Sequence, residues 1–127
     1  MRRHSKLKQN KNWVIKELNL NNKKHGKVVE RGEYDGVLNQ PSINVSYIAT
    51  YQTNGYHSKK LIVKLQLNVI HHSNGYYNCY QITMITDYYK RFEMLESGLA
   101  KIMFEINSNQ PFYENHTLLK ESHQYAK

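Results

Sequence analysis

The sequence predicts an α+β fold in which a three-stranded antiparallel meander is packed by one long C-terminal helix. Three observations carry that reading. Ile43, Val45, Tyr47, Ala49 and Tyr51 alternate with mostly polar neighbours, as do Leu61, Val63, Leu65, Leu67 and Val69. An Asn74-Gly75 pair then leads into Tyr76–Thr86, a run rich in aromatic and β-branched residues. Beyond it Tyr88, Phe92, Leu95, Leu99, Ile102, Met103 and Ile106 recur at three- and four-residue steps. A period of two marks strands with one buried face, and a period near 3.6 marks an amphipathic helix.

In chain order, residues 1–26 read as a basic, partly disordered arm and residues 27–127 as a single domain. Residues 1–31 hold Arg2, Arg3, Lys6, Lys8, Lys11, Lys16, Lys23, Lys24, Lys27 and Arg31 against Glu17 and Glu30. The whole formal net charge of +8 therefore sits there, and the rest of the chain is neutral. Repulsion and a shortage of apolar side chains leave little to offset the entropy of ordering such an arm. Within it Trp13, Val14, Ile15, Leu18 and Leu20 form an apolar cluster, and Asn12 is placed to cap a short helix over 13–20. Residues 21–26 read as loop, Val28-Val29 as a candidate fourth, edge strand, and 33–41 as turn-rich.

The Asn74-Gly75 pair suits a tight type I′ hairpin, whose two central residues need positive φ. A two-residue turn there sets Val69 opposite Tyr80, Leu67 opposite Ile82 and Leu65 opposite Met84. All six then share one face, as a true hairpin requires. Asn54-Gly55 fails the same test, since it would put the first strand's apolar set on the wrong face. A longer connection or bulge through Thr53–Lys59 is expected instead. Asp87 offers an N-cap to the long helix, Asn107 and Pro111 a stop, and Leu118 and Leu119 a second, short helix near 117–125.

Composition bounds the function. The chain has 127 residues, 39% of them hydrophobic, a single cysteine and a mean hydropathy of −0.78. No apolar run approaches the ~20 residues of a membrane-spanning helix. The basic start is not followed by the apolar core of a signal peptide. One cysteine excludes an internal disulfide framework and a multi-cysteine zinc site. The expected setting is cytoplasmic, with no membrane partner, metal or cofactor.

Catalytic readings find weak footing. His72 is expected to share a face with Cys79, which supplies two ligands where zinc takes four, so a site would need His57 or a second chain. Tyr88-Tyr89-Lys90 is similar to the nucleophile of rolling-circle nickases, but their strand histidines flank a hydrophobic residue, whereas His71 and His72 are contiguous. A metal-independent ribonuclease could draw on His57, Lys59, Lys60 and His72 for acid–base work. The basic arm points instead to a polyanion, because each Lys or Arg that displaces a condensed counterion adds affinity. An acidic protein surface, or simple solubilisation, would use the same charges. A second binding reading places unpaired bases on sheet tyrosines, Tyr76 and Tyr77 above all, with Lys60 and Lys64 holding phosphates. Tyr47, Tyr51, Tyr80, Tyr88 and Tyr89 belong to the same aromatic set, although tyrosine is also simply favoured in strands.

The order short helix, three strands, helix is similar to that of double-stranded-RNA-binding domains, with Lys90-Arg91 in place of that family's lysine pair and without its alanine-rich packing side. The chain also resembles small anti-CRISPR proteins of Gram-positive phages and mobile elements. Some of these join a basic N-terminus, here Met1–Lys11, to a compact α+β body, and Lys60-Leu61-Ile62-Val63-Lys64-Leu65 is similar to a strand in one such group. The resemblance implies a non-enzymatic inhibitor that binds a type II CRISPR nuclease or its guide-RNA complex.

Overall fold

A computed structural model describes residues 12–21, 23–38, 42–52, 60–73, 75–108 and the strand 118–124. Six strands form one antiparallel meander in the order β1-β2-β3-β4-β5-β6: β1 Trp13–Leu18, β2 Val28–Tyr34, β3 Ile43–Tyr51, β4 Ile62–Ser73, β5 Tyr76–Asp87 and β6 Leu118–Gln124. A 3-10 turn, Tyr88–Lys90, leads into helix α1, Arg91–Ser108, before the chain returns to the sheet in β6. The α+β class stands, with the expected meander enlarged on both sides.

The central hairpin has the expected register: Val69 pairs with Tyr80, Leu67 with Ile82 and Leu65 with Met84. Gly75 holds φ at +84°, the conformation that a tight turn demands. On the other side Val45, Tyr47 and Ala49 of β3 oppose Val69, Leu67 and Leu65. Thr53–Lys59, the expected long connection, lies outside the described residues. Across its base the Gln52 amide donates to the Ile62 carbonyl at 2.9 Å. One face of the sheet is thus continuous and apolar, and α1 lies across it through Leu95, Leu99 and Ile102, all buried. Phe92, Met103 and Ile106 pack against the same core. Asp87 caps the turn before the helix, its carboxylate accepting from the Tyr89 amide at 3.1 Å.

Three expectations need correction. Residues 13–20 are not a short helix in an arm: Trp13–Leu18 is the edge strand β1, so the sheet begins there rather than at Lys27. Val28-Val29 opens β2, which lies between β1 and β3 and is not the edge. The short helix expected near 117–125 is strand β6, with Leu118 opposite Ile82 and Gln124 opposite Tyr76. β1 escaped recognition because it does not alternate. Only Trp13 is buried, the next five residues are exposed, and the register shifts between Ile15 and Glu17. Trp13 fastens the strand. Its ring meets Tyr34 edge-on at 4.8 Å and Tyr47 at 5.7 Å, and its indole N–H donates to Glu96 at 2.8 Å.

Under the helix entry lies a buried polar cluster. Glu30 on β2 is fully buried and accepts from the Tyr47 hydroxyl at 2.5 Å, the Tyr88 hydroxyl at 2.5 Å and Arg91 Nε at 2.7 Å. The guanidinium also donates to the Tyr88 carbonyl at 3.0 Å and stacks on the Tyr88 ring, 3.7 Å from its centroid. Both phenols are held well above their ordinary pKa, first by burial and then by the bond to Glu30. They remain neutral donors through the physiological range.

This cluster explains Gly32. A Cβ at that position would overlap the Tyr47 ring, which crosses the glycine on its way to Glu30. Gly32→Ala is expected to cost about 1–3 kcal/mol, the usual penalty of overpacking a filled site. Urea denaturation of the two proteins measures the difference. An unchanged midpoint would show that the ring has room to move.

Candidate nucleic-acid interface

The face of the sheet opposite α1 carries Ser46, Ile48, Thr50, Lys64, Gln66, Asn68, Cys79, Gln81 and Thr83, none of them fully buried. Ile70 and the exposed Ile85 share this face, so it is a mixed polar and aliphatic surface. At one end it becomes cationic, because three parts of the chain meet there.

The first is the turn between β1 and β2, which carries Lys23, Lys24, His25 and Lys27, all exposed. Backbone hydrogen bonds fix it beside β3. The Gly26 amide donates to the Tyr51 carbonyl at 2.8 Å, and the Tyr51 amide returns a bond to the Lys27 carbonyl at 2.8 Å. Gly26 sits at φ +85°, which a residue with a side chain would rarely adopt. The second part is the end of β3, Thr50 to Gln52. The third is the start of β4 with Lys60 before it and Lys64 within it, both exposed. Lys64 pairs with Thr50, which pairs with Val28. Two inter-strand steps, about 10 Å, therefore separate the β4 lysine from the base of the lysine-rich turn.

The acidic groups around this end already hold partners. Glu17 pairs with Arg31 at 2.9 Å, Glu30 is buried on Arg91, and Asp87 caps the helix. Lys23, Lys24, Lys27, Lys60 and Lys64 form no ion pair with a described residue. Between the turn and the strands the open face sinks into a cleft of about 270 Å³ lined by His25, Gly26, Ile48, Thr50, Gln52, Lys64 and Gln66.

The fold divides the expected basic residues. Lys16 lies on the edge strand with Glu33 at 3.9 Å, and Arg31 is taken by Glu17, so these two are engaged. Arg2, Arg3, Lys6, Lys8 and Lys11 lie outside the described residues. The chain that carries them joins the sheet at Asn12, whose carbonyl accepts from the Asp35 amide at 2.6 Å. That is the opposite end of β1 from the lysine-rich turn, roughly 20 Å away at ~3.3 Å per residue. Within the described residues, the lysines of the turn lie at the other end of β1 from Asn12.

The tyrosines do not join the lysines. Tyr76 and Tyr77 lie at the far end of the hairpin on opposite faces, and Tyr77 pairs with His72, eight residues and about 27 Å along β4 from Lys64. Tyr77 and His72 rings lie 5.9 Å apart. Tyr47, Tyr80 and Tyr88 are buried, Tyr51 is half-buried and Tyr89 is exposed at the helix entry. Three of the seven tyrosines are therefore core, while Tyr76 and Tyr89 are exposed and Tyr51 and Tyr77 half-buried.

The residues considered for chemistry are also dispersed. Lys60 and His72 stand at opposite ends of β4, while His57 and Lys59 lie outside the described residues. His72 and Cys79 do share the open face. No group of three or more His, Cys, Asp or Glu is placed to hold a metal ion among the described residues. Burial, then the neighbouring His72, lowers the pKa of His71. No described helix is long and apolar enough to cross a membrane.

The cleft was missed by sequence reasoning. Its signal was the polar half of each strand's alternation: Thr50 and Gln52 on one strand, Lys64 and Gln66 on the next. Compared with protein-family models, curated proteins and solved structures, the chain matches none.

Proposed function

We propose that the protein is a non-enzymatic binding protein that engages nucleic acid, bare or within a nucleoprotein, through the lysine-rich end of its sheet. The observation that carries this reading is that Lys23, Lys24, Lys27, Lys60 and Lys64, from two connections and a strand, lie exposed at one end of the sheet, where Lys64 and the turn residues His25 and Gly26 line a cleft. Lysine is a compact point charge suited to phosphate contact, and a row of such charges gains affinity by releasing condensed counterions. Arg2, Arg3, Lys6, Lys8 and Lys11 would add to the same attraction.

The resemblance to anti-CRISPR proteins narrows the target to a cytoplasmic nucleoprotein, a type II CRISPR nuclease with its guide RNA. Such a complex presents RNA phosphate to the lysine-rich end and a protein surface to the neutral open face. Capture of the nuclease by the immobilised protein, with and without prior RNA digestion, separates an RNA-mediated contact from a direct one.

The broader reading is tested by fluorescence anisotropy with labelled single- and double-stranded oligonucleotides at 50 and 200 mM salt. With five phosphate contacts, single-strand affinity is expected to fall about a hundredfold between those concentrations, following a slope near −0.7 per contact. Absence of binding, or affinity indifferent to salt, would overturn it.

A further inference from the structure

We infer that the cleft at the lysine-rich end takes one unpaired nucleotide, its base inside and its phosphate on Lys64 and the lysine-rich turn. This rests on the nucleic-acid reading and deepens it, because a charged rim alone would bind the backbone of any strand. The lining argues for a base. Ile48 offers an aliphatic surface for a ring face, and Thr50, Gln52 and Gln66 surround it with neutral hydrogen-bonding groups. Glutamine amides carry both a donor and an acceptor, the complement of a base edge. Among the described residues no carboxylate lines the cleft to repel the sugar-phosphate that must follow the base in.

Size and position agree. At about 270 Å³ the cleft lies just below the roughly 300–1,000 Å³ of sites for drug-sized ligands, which suits a single base. It is open to the surface between the β1–β2 turn and β4, so an extended strand can leave one base in the cleft and pass on in either direction. A base paired within a duplex would not reach its floor, so the site distinguishes single from double strands. Gln66 Nε2 lies 3.4 Å from the Asn68 amide oxygen and Thr50 Oγ1 3.5 Å from the Lys64 carbonyl, long contacts that leave both side chains able to turn toward a ligand.

The test compares two labelled strands of about twelve residues, within the span that single-strand-binding domains cover, one a normal oligonucleotide and the other abasic throughout with the same phosphates. At fixed salt the full chain is expected to bind the normal strand about tenfold more tightly, within the range that one recognised base contributes. Gln66→Leu, which removes the amide, and Thr50→Leu, which fills the cleft, are expected to erase that tenfold preference while leaving the abasic affinity unchanged. Both keep the net charge, and both positions are partly exposed, so thermal melts should show the variants folded. Equal binding of the two strands by the unaltered protein would overturn the cleft as a nucleotide site and leave the polyanion reading standing. A preference that survives both substitutions would place base recognition elsewhere. Failure of the unaltered protein to bind either strand would remove the polyanion reading together with this one.

Discussion

Arg91→Met lowers the unfolding free energy by about 3–5 kcal/mol, the loss expected when one member of a buried ion pair is removed and the other is left in place. Glu30 has no exposure to solvent, and its only cationic partner among the described residues is Arg91. Tyr47 and Tyr88 would still donate to the carboxylate, but two neutral phenols do not balance a buried charge. The loss is large against a typical total of ~5–15 kcal/mol. Adding Glu30→Gln to Arg91→Met should restore part of the stability, because the amide oxygen still accepts from a phenol and the unpaired charge is gone. Urea denaturation of the wild type, both single variants and the double variant gives the coupling. Strict additivity would mean that the two side chains act independently, contrary to the 2.7 Å contact between them.

The second large effect concerns the lysines. Replacing Lys23, Lys24, Lys27 and Lys64 with Gln should lower the salt slope of single-strand binding by about 3, close to 0.7 for each phosphate contact removed. All four are exposed, so the fold should be unaffected. The matched control is Lys16→Gln with Arg31→Gln. These residues lie in ion pairs with Glu33 and Glu17, and their removal should leave the slope within about 1 of wild type. Anisotropy titrations over a salt series read both. Equal losses per charge removed in the two variants would mean that net charge, rather than the end of the sheet, directs binding.

The two variants also mark where sequence reasoning stopped. Lys16, Lys23, Lys24, Lys27 and Arg31 look alike as a run of charges. Only strand pairing shows that Lys16 and Arg31 face glutamates while the other three extend from a turn. The central strands were legible because alternation is a local property: Leu65, Leu67 and Val69 identify their own face, and a two-residue turn fixes their partners. The α1 stripe was legible for the same reason. β1 was not, since an edge strand with little burial keeps no period of two, and its conformation is decided by the strand it joins. Leu118 and Leu119 point to a helix on spacing alone, yet that segment pairs with β5, some forty residues earlier.

Tyrosine is ambiguous in a related way. Strand preference and base stacking draw on the same side chain, and burial separates them only after folding. Tyr47 and Tyr88 turned out to be donors to a buried glutamate. That glutamate stood in plain view in Val28-Val29-Glu30, a charge at the end of an apolar run, but its partner Arg91 lies 61 residues away. The cleft was likewise hidden, because it needs a turn, two strands and a glycine at positive φ to come together.

The most direct test of the central claim is a backbone amide chemical-shift map of the full chain titrated with a short single-stranded oligonucleotide. The account predicts shifts at Lys23–Lys27, Thr50–Gln52 and Lys60–Gln66, with the sheet-facing residues of α1 and the Tyr76–Tyr77 end unmoved. Shifts confined to α1 or to the Tyr76–Tyr77 end, or no shifts at all, would contradict it.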